Sequence, residues 1–514
     1  MDFLVNLDPN AATPMHRQIY EEVRKAILSG RLAAGNKMPS TRALSQSLGI
    51  SRATVTMSYE FLLSEGYFES LTGSGTYVSR HIPEDLMYVD QEDSEDATSE
   101  LIESSEPIVP AQHKRLSWYG QMLASRNWLD FSDEEPRIQF TFGRPDLETF
   151  PMRVWTQLTS KYLNQRDLTT LDCPTRSRGY LPLRQALADY LASSRAVQCD
   201  PERILIVNGS QQAIALVARI LIDREDYAAI EEPGYLGAQK ALLAAGANLL
   251  PIQVDHAGLR VDELKKKFDA ASGLSAKLVY VTPSHQYPTG VALTLPRRLE
   301  LLKWAARTGT YIVEDDYDSE YRYKGRPIPA LAGLDKFGSV IYIGTFSKVL
   351  LPAMRLGYIV VPENLVDVFA RAKWLVDRHS PLVDQQVLTE FITAGHLDRH
   401  IRKMRGLYEQ RRKLFVDKLV ETFGNRITVL GDNAGINVLV RFNTECSDDE
   451  LVVRAAEKGI GISSTKKYYI GRHRPHEYLL NYAGLKEEEL LEGIEVIASI
   501  LDDFQTLSTA SSGI

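Results

Sequence analysis

The chain has 514 residues, 67 acidic and 59 basic, for a formal net charge of −8, and 44% of it is hydrophobic. That length supports two or three domains with at least one large core, and the composition excludes a disordered, collagenous or disulfide-stapled chain. The acidic balance confines any nucleic-acid contact to a local surface, and Cys173, Cys199 and Cys446 lie too far apart to suggest a disulfide framework or a metal site.

Residues 14–28 carry Ile19, Val23 and Ile27 at helical spacing, and Gly30 follows as a stop. Ser40 can cap a second helix with Leu44 and Leu48 on one face and Gly49 just past its end. Ser51 can cap a third, with Val55, Tyr59, Leu62 and Leu63 on its apolar stripe. Residues 67–79, YFESLTGSGTYVS, read as two short strands joined by Gly73, Ser74 and Gly75. Three helices and a hairpin predict a small winged helix-turn-helix over residues 1–80. In such a module the third helix enters the major groove by its N-terminal end. That places Arg52, Thr54 and Thr56 toward the bases and Arg42 over the backbone, and lets the wing around Gly75 approach phosphate closely. The competing reading is a protein-binding module with both arginines on a solvated face.

From Pro83 to Pro107 the chain holds ten acidic residues and no Lys or Arg. A segment of that kind cannot bury enough apolar surface to fold, so residues 81–135 are expected to form an acidic flexible linker. About thirty such residues span on the order of 30 Å.

From residue 136 to 514 strands and helices alternate. The runs RILIVNG, KLVYVTP, TYIVEDD, SVIYIGT and LGYIVVP are short, apolar and β-branched, which predicts an α/β domain with a buried, mostly parallel sheet. From about residue 380 a long helix and a small α+β subdomain are expected, ending in a frayed tail at TLSTASSGI. No apolar run reaches membrane-spanning length and no signal peptide is evident, so the expected compartment is the cytoplasm.

Several chemistry-bearing groups fall at strand ends in this domain. A phosphorylated aldehyde cofactor needs an amine, phosphate donors, an anion near its ring nitrogen and a flat face to stack on. Lys348, in GTFSKVLLPAMRLGY, supplies an amine; Thr345 and Ser347 supply hydroxyls and Arg355 a bidentate fork. Ser210 and Gln211, in NGSQQA, open a helix after a strand, where backbone N–H groups meet phosphate. Asp315, Asp316 and Tyr317 end another strand, where α/β sheets bind ligands. Tyr235, in EEPGYLGAQ, can stack on a ring. Each piece alone is more often structural than functional; the weight lies in their sharing one end of one sheet.

The N-terminal motifs LSGRL, PSTR, SRATV, EGY and GSGTYV resemble a GntR-family winged helix over its full length. The segments from RGYLPLRQALADYL through VTPSHQYPTG to GTFSKVLLPAMRLGY resemble a fold-type I aminotransferase. Together they are similar to the MocR family of regulators. The resemblance implies pyridoxal 5′-phosphate held as a Schiff base by Lys348, with Asp315 at the ring nitrogen, Tyr317 at the ring hydroxyl and Tyr235 stacked on the ring. Ser210, Gln211, Thr345, Ser347 and Arg355 would hold the phosphate, and Arg42, Arg52, Thr54 and the wing at Gly75 would contact DNA. Two departures stand out. Tyr287 replaces the Asn that many aminotransferases carry before PTG, and Leu479, in YLLNYAGL, stands where many carry the arginine that grips a substrate carboxylate. Arg472 and Arg474 lie near it in sequence. The expected protein is a homodimeric regulator that binds operator DNA and senses pyridoxal phosphate or an amine or amino acid that condenses with it. The alternative is a working aminotransferase with an appended DNA-binding domain.

Overall fold

The computed structural model describes residues 7–8, 11, 13–71, 73–82, 116–125, 136–141, 143–164, 177–268, 273–323, 328–431 and 434–511, with side chains to residue 504. They fall into two compact units, one ending at Arg115 and the other starting at Leu116.

In the first unit, α1 (Met15–Leu28), α2 (Thr41–Leu48) and α3 (Arg52–Ser64) precede the hairpin β1 (Phe68–Leu71) and β2 (Gly75–Val78). The predicted caps set the two helix starts. Ser40 Oγ accepts from the Ala43 N–H at 3.1 Å and Ser51 Oγ from the Thr54 N–H at 3.2 Å, each satisfying a donor that has no partner within its helix. Gly49 stops α2 in the left-handed conformation, φ 65°. Ile19, Val23, Leu44, Val55, Tyr59, Leu62 and Val78 form the core. The Tyr59 hydroxyl donates to the Pro39 carbonyl at 2.9 Å and ties α3 to the segment entering α2. In the hairpin Phe68 faces Val78 and Leu71 faces Gly75.

The strands of the second unit are, in chain order, β3 (Ile138–Gln139), β4 (Ile204–Val207), β5 (Tyr227–Glu232), β6 (Asn248–Asp255), β7 (Gly258–Leu259), β8 (Ala276–Val281), β9 (Tyr311–Asp316), β10 (Val340–Thr345) and β11 (Gly357–Val360), followed by those of the small subdomain. Eight of them make one sheet in the order β4-β11-β10-β9-β8-β5-β6-β7. Pairs β10–β9, β9–β8, β8–β5 and β5–β6 are parallel; β11 runs against both neighbours and β7 against β6. The unbroken apolar runs follow from burial on both faces. Along β10, Ile341 and Ile343 pack with Ala213, Ile214 and Val217 of helix Ser210–Leu221, while Tyr342 between them packs on the opposite face with Leu187, Leu191 and Val387.

The small subdomain adds β12 (Ile427–Gly431), β13 (Asn437–Phe442), β14 (Ile460–Gly461) and β15 (Glu477–Asn481). β12, β13 and β15 form an antiparallel sheet, flanked by helices His396–Phe423, Asp448–Glu457 and Glu487–Ser511.

Three sequence expectations need correction. β3 pairs in parallel with β14, so the start of the large domain is stitched into the small subdomain rather than into the main sheet. The stretch 81–135, expected to be linker throughout, contains helix Trp118–Ala124, capped by Ser117 and with the Arg224 guanidinium 4.4 Å over the Trp118 ring. The acidic run from Pro83 to Pro107 lies outside the described residues. The last helix continues to Ser511 instead of fraying near Thr506, since extending an existing helix by a residue costs far less than starting one. Among the described residues no helix is long and apolar enough to cross a membrane.

Candidate functional site

The carboxyl ends of β5, β8, β9 and β10 and the start of helix Ser210–Leu221 surround a cavity of about 500 Å³. Ser210, Gln211, Tyr235, Asp315, Tyr317, Thr345, Ser347, Lys348 and Arg355 all line it. The structure thus brings to one place every residue that the resemblance assigns to the cofactor, and leaves Asp316 outside the lining.

Lys348 follows β10. Its ammonium donates to the Gly143 carbonyl at 2.6 Å. Desolvation pulls its pKa below the usual lysine value, and the carboxylates of Asp318 and Asp315 oppose that shift. Asp315 and Asp316, adjacent on β9, face opposite sides of the sheet. Asp316 Oδ2 accepts from the Tyr342 hydroxyl at 2.7 Å and pairs with Arg195 Nε at 3.0 Å, so it is engaged away from the cavity. Asp315 Oδ2 accepts from the Tyr280 hydroxyl at 2.5 Å, whereas its buried Oδ1 has no partner among the described residues. Burial pushes the Asp315 carboxyl up to about 7. An acid with one oxygen anchored and the other unmatched suits a ring N–H donor, because a buried acceptor left unpaired costs about 1–3 kcal/mol.

The other end of the cavity suits a phosphate. Gly209, at φ 88°, precedes helix Ser210–Leu221, whose first-turn N–H groups lack partners within the helix. Arg355 Nη2 donates to the Asn208 carbonyl at 3.1 Å and lies flat on Gly209, where a Cβ would come within 3.1 Å of that nitrogen. The Ser347 N–H donates to Thr345 Oγ1 at 3.2 Å, which clusters both hydroxyls nearby. Asn208 Nδ2 and Gln212 Nε2 donate to Asp377 Oδ2 at 2.8 and 2.7 Å, and the buried Lys373 pairs with the same carboxylate, so the loop is held from behind.

The walls are aromatic. Tyr287 meets Tyr235, Tyr317 and Tyr468 edge-to-face, with ring centroids 5.7, 5.8 and 5.1 Å apart, and its hydroxyl donates to that of Tyr468 at 2.9 Å. The Tyr317 hydroxyl lies 3.2 Å from His285 Nδ1, which is 3.0 Å from both oxygens of Asp318. If Nδ1 carries its proton toward Asp318, Tyr317 keeps its own hydrogen to give to a ligand. Leu479 is buried in a cluster with Leu439 and Tyr468, packed on Leu236 and Tyr287. Arg472 and Arg474 are exposed.

Sequence reasoning missed Gly143, Tyr280, His285, Asp318, Asn437, Tyr468 and the Asp377 brace. No signal along the chain marks Tyr280, which reaches Asp315 from the neighbouring strand β8, or Gly143 and Asp377, which are brought in from distant parts of the chain.

On the first unit, Arg42, Arg52 and Gly75 are exposed and Thr54 and Thr56 half-buried. Arg52 Nε donates to Thr41 Oγ1 at 3.4 Å, and Thr54 Oγ1 lies 2.8 Å from Ser51 Oγ, so Thr54 shares in the cap of α3. Lys37 also reaches the wing: its ammonium lies 5.6 Å over the Tyr77 ring, and a Cβ on Gly75 would sit 3.2 Å from Lys37 Cε.

Two family models match the chain: aminotransferase class I and II over residues 137–497, and bacterial regulatory proteins of the gntR family over residues 15–78. The chain is thus a gntR-type winged helix joined to a fold-type I aminotransferase fold. Its relatives include the probable rhizopine catabolism regulatory protein MocR of Rhizobium meliloti, 38% identical over 96% of this chain and 95% of the relative. The uncharacterized HTH-type transcriptional regulator YdeL of Bacillus subtilis is 32% identical over 96% and 98%. A Pyrococcus horikoshii kynurenine aminotransferase, solved in complex with PMP, superposes with a TM-score of 0.67 at 27% identity, covering 79% of this chain and 98% of the enzyme. The chain belongs to the MocR family of transcriptional regulators.

Proposed function

We propose that this protein is a cytoplasmic, homodimeric transcription regulator that binds operator DNA through its winged helix and pyridoxal 5′-phosphate in the cavity around Lys348. It senses either the cofactor itself or an amine that condenses with it. The supporting observation is the meeting, in one cavity, of an enclosed lysine amine, an acid with a partnerless oxygen and a helix N-terminus beside an arginine.

Bound there, pyridoxal phosphate supplies an aldehyde that reacts with primary amines and a ring that draws electrons when its nitrogen is protonated. The chain's own residues do the rest. Lys348 presents the resident amine. Asp315 Oδ1 holds a proton at the ring nitrogen, Tyr317 donates to the ring hydroxyl, and Tyr235 stacks on the ring face. Arg355, the N–H groups of Ser210 and Gln211, and the Thr345 and Ser347 hydroxyls hold the phosphate. Each charge-assisted contact is worth about 1.5–3 kcal/mol. At the other end of the chain, Arg52, Thr54 and Thr56 face the major groove, while Arg42, Gly75 and Lys37 approach the backbone.

The test is optical. The purified chain mixed with pyridoxal phosphate should develop a visible absorption band, and Lys348→Ala should abolish that band while leaving far-UV circular dichroism unchanged. A band that persists in the variant contradicts the assignment. Turnover with amino-acid and keto-acid pairs would favour the alternative of a working aminotransferase.

A further inference from the structure

Beyond the cofactor reading, we infer that a second ligand site, for a small organic phosphate, lies in the cleft between helices Leu181–Arg195 and His396–Phe423.

The cleft encloses about 440 Å³, a volume that suits a small molecule. It shares no lining residue with the cavity around Lys348. His285 lies between the two: it lines the cleft, and its Nδ1 is 3.2 Å from the hydroxyl of Tyr317, which lines the cavity.

Four arginines line the cleft, Arg195, Arg322, Arg402 and Arg405, against two carboxylates, Glu320 and Asp398. Arg195 is buried and already matched. Its Nε pairs with Asp316 Oδ2 at 3.0 Å, and its Nη2 faces Glu320 Oε1 at 3.7 Å. Glu320 Oε1 also accepts from the Tyr190 hydroxyl at 3.0 Å, so that acid is engaged within the wall. Arg402 and Arg405 differ. They stand three residues apart on helix His396–Phe423 and so share a face. Among the described residues both donate to backbone only. Arg402 Nε reaches the Asp398 carbonyl at 3.3 Å, and Arg405 Nε and Nη2 reach the Glu320 carbonyl at 3.1 and 2.8 Å. Two bonds to one carbonyl fix the plane of the Arg405 guanidinium and leave its Nη1 edge for a ligand. Asp398, the remaining acid of the lining, is outnumbered by Arg322, Arg402 and Arg405.

The donor set selects the ligand. One guanidinium fork uses both oxygens of a carboxylate, whereas a phosphate monoester has three terminal oxygens and close to two charges, enough for both forks. Ser284 Oγ, in the same lining, is buried with no hydrogen-bond partner among the described residues, a donor that a phosphate oxygen would match. The volume leaves room for an organic body, which Ile328, Ile401, Ala434 and Tyr190 would receive. Binding makes and breaks no covalent bond.

The experiment uses the full chain, loaded with pyridoxal phosphate and freed of excess by gel filtration. It is titrated with phenyl phosphate in a calorimeter at fixed ionic strength. Saturable binding of one phenyl phosphate per chain is expected, with benzoate weaker by about tenfold or more. Arg402→Gln and Arg405→Gln should each weaken phenyl phosphate by about tenfold or more. Both positions are exposed, so neither change opens a core. Lys413→Gln, which removes an exposed charge from the same helix outside the cleft, should change binding by less than about twofold. Absence of saturable binding, or binding that both arginine variants retain, overturns the inference. So does benzoate that binds as tightly as the phosphate. An equal loss in Lys413→Gln overturns it too, as the mark of a diffuse surface field. A chain that does not retain pyridoxal phosphate would instead sink the cofactor reading. The arginine variants would still decide the second site, because Arg402 and Arg405 lie outside the first cavity.

Discussion

On β9 two neighbouring carboxylates meet opposite environments. Each has a buried Oδ1 with no hydrogen-bond partner among the described residues, but Asp316 is paired through Oδ2 with Arg195 and Tyr342 away from the cavity, while Asp315 lines it. Strand alternation makes that division readable from sequence, and the motif's register chooses between the two. The partner that anchors Asp315, Tyr280, comes from the next strand, and no spacing along the chain announces it. The energetic consequence can be measured. Burial pushes Asp315, Glu231 and Glu314 each up to about 7. Between the ordinary carboxylate range near 4 and about 7, the folded cofactor-free protein therefore binds more protons than the unfolded chain. Their contribution to stability is full below about pH 4 and is lost as pH rises toward 7. Urea unfolding of the cofactor-free protein should show this decline, and Asp315→Asn should make it shallower, by up to about 1.4 kcal/mol per pH unit. An unchanged slope in the variant would mean that Asp315 ionises normally in the empty site. Pyridoxal phosphate, by bringing a cationic ring nitrogen to Asp315, should stabilise the protein more at pH 8 than at pH 5.

At the scale of elements, local signals worked where local physics decides. Ser40 and Ser51 cap α2 and α3 as their positions predict, and the five apolar runs of the large domain are strands buried on both faces. β6 was harder to read, because Asn248, Pro251 and Gln253 break its apolar pattern. The β3–β14 pairing joins residues more than three hundred positions apart, which no periodicity encodes. Helix Trp118–Ala124 is masked in sequence by the acidic stretch before it, and only its contact with Arg224 reveals what it packs on. The helix-turn-helix gives the functional test at this scale. Arg52→Ala should relax base preference, since a good bidentate base contact is worth roughly 1–3 kcal/mol. Arg42→Ala should weaken binding to all sequences alike and lower the salt slope by about one unit. If operator affinity at fixed salt is the same in both variants, the winged helix is a protein-binding module instead. At the phosphate end, Gly209→Ala should weaken cofactor binding, because the position has φ 88° and its Cβ would press on Arg355.

For the whole molecule, the proposed organisation is a DNA reader over residues 1–80, an acidic spacer, and a cofactor-binding domain that dimerises. Two readers held by one core bind two half-sites with an effective concentration set by the spacer. Scrambling residues 84–106 at constant composition should leave operator binding nearly unchanged. Deleting about twenty of them should weaken a two-site operator but not a single half-site; equal loss on both would point to a damaged domain. The account stands or falls on linkage between the two ends of the chain. A regulator works only if its ligand favours one state of the DNA-binding unit, and that coupling is reciprocal. The most direct measurement is a titration of the cofactor-loaded chain with a simple primary amine, butylamine, followed by its visible band and run with and without a DNA duplex that the protein has selected from a random pool. The account predicts that DNA shifts the half-saturation point, by the same factor by which butylamine shifts DNA affinity. Identical amine curves with and without saturating DNA would contradict it.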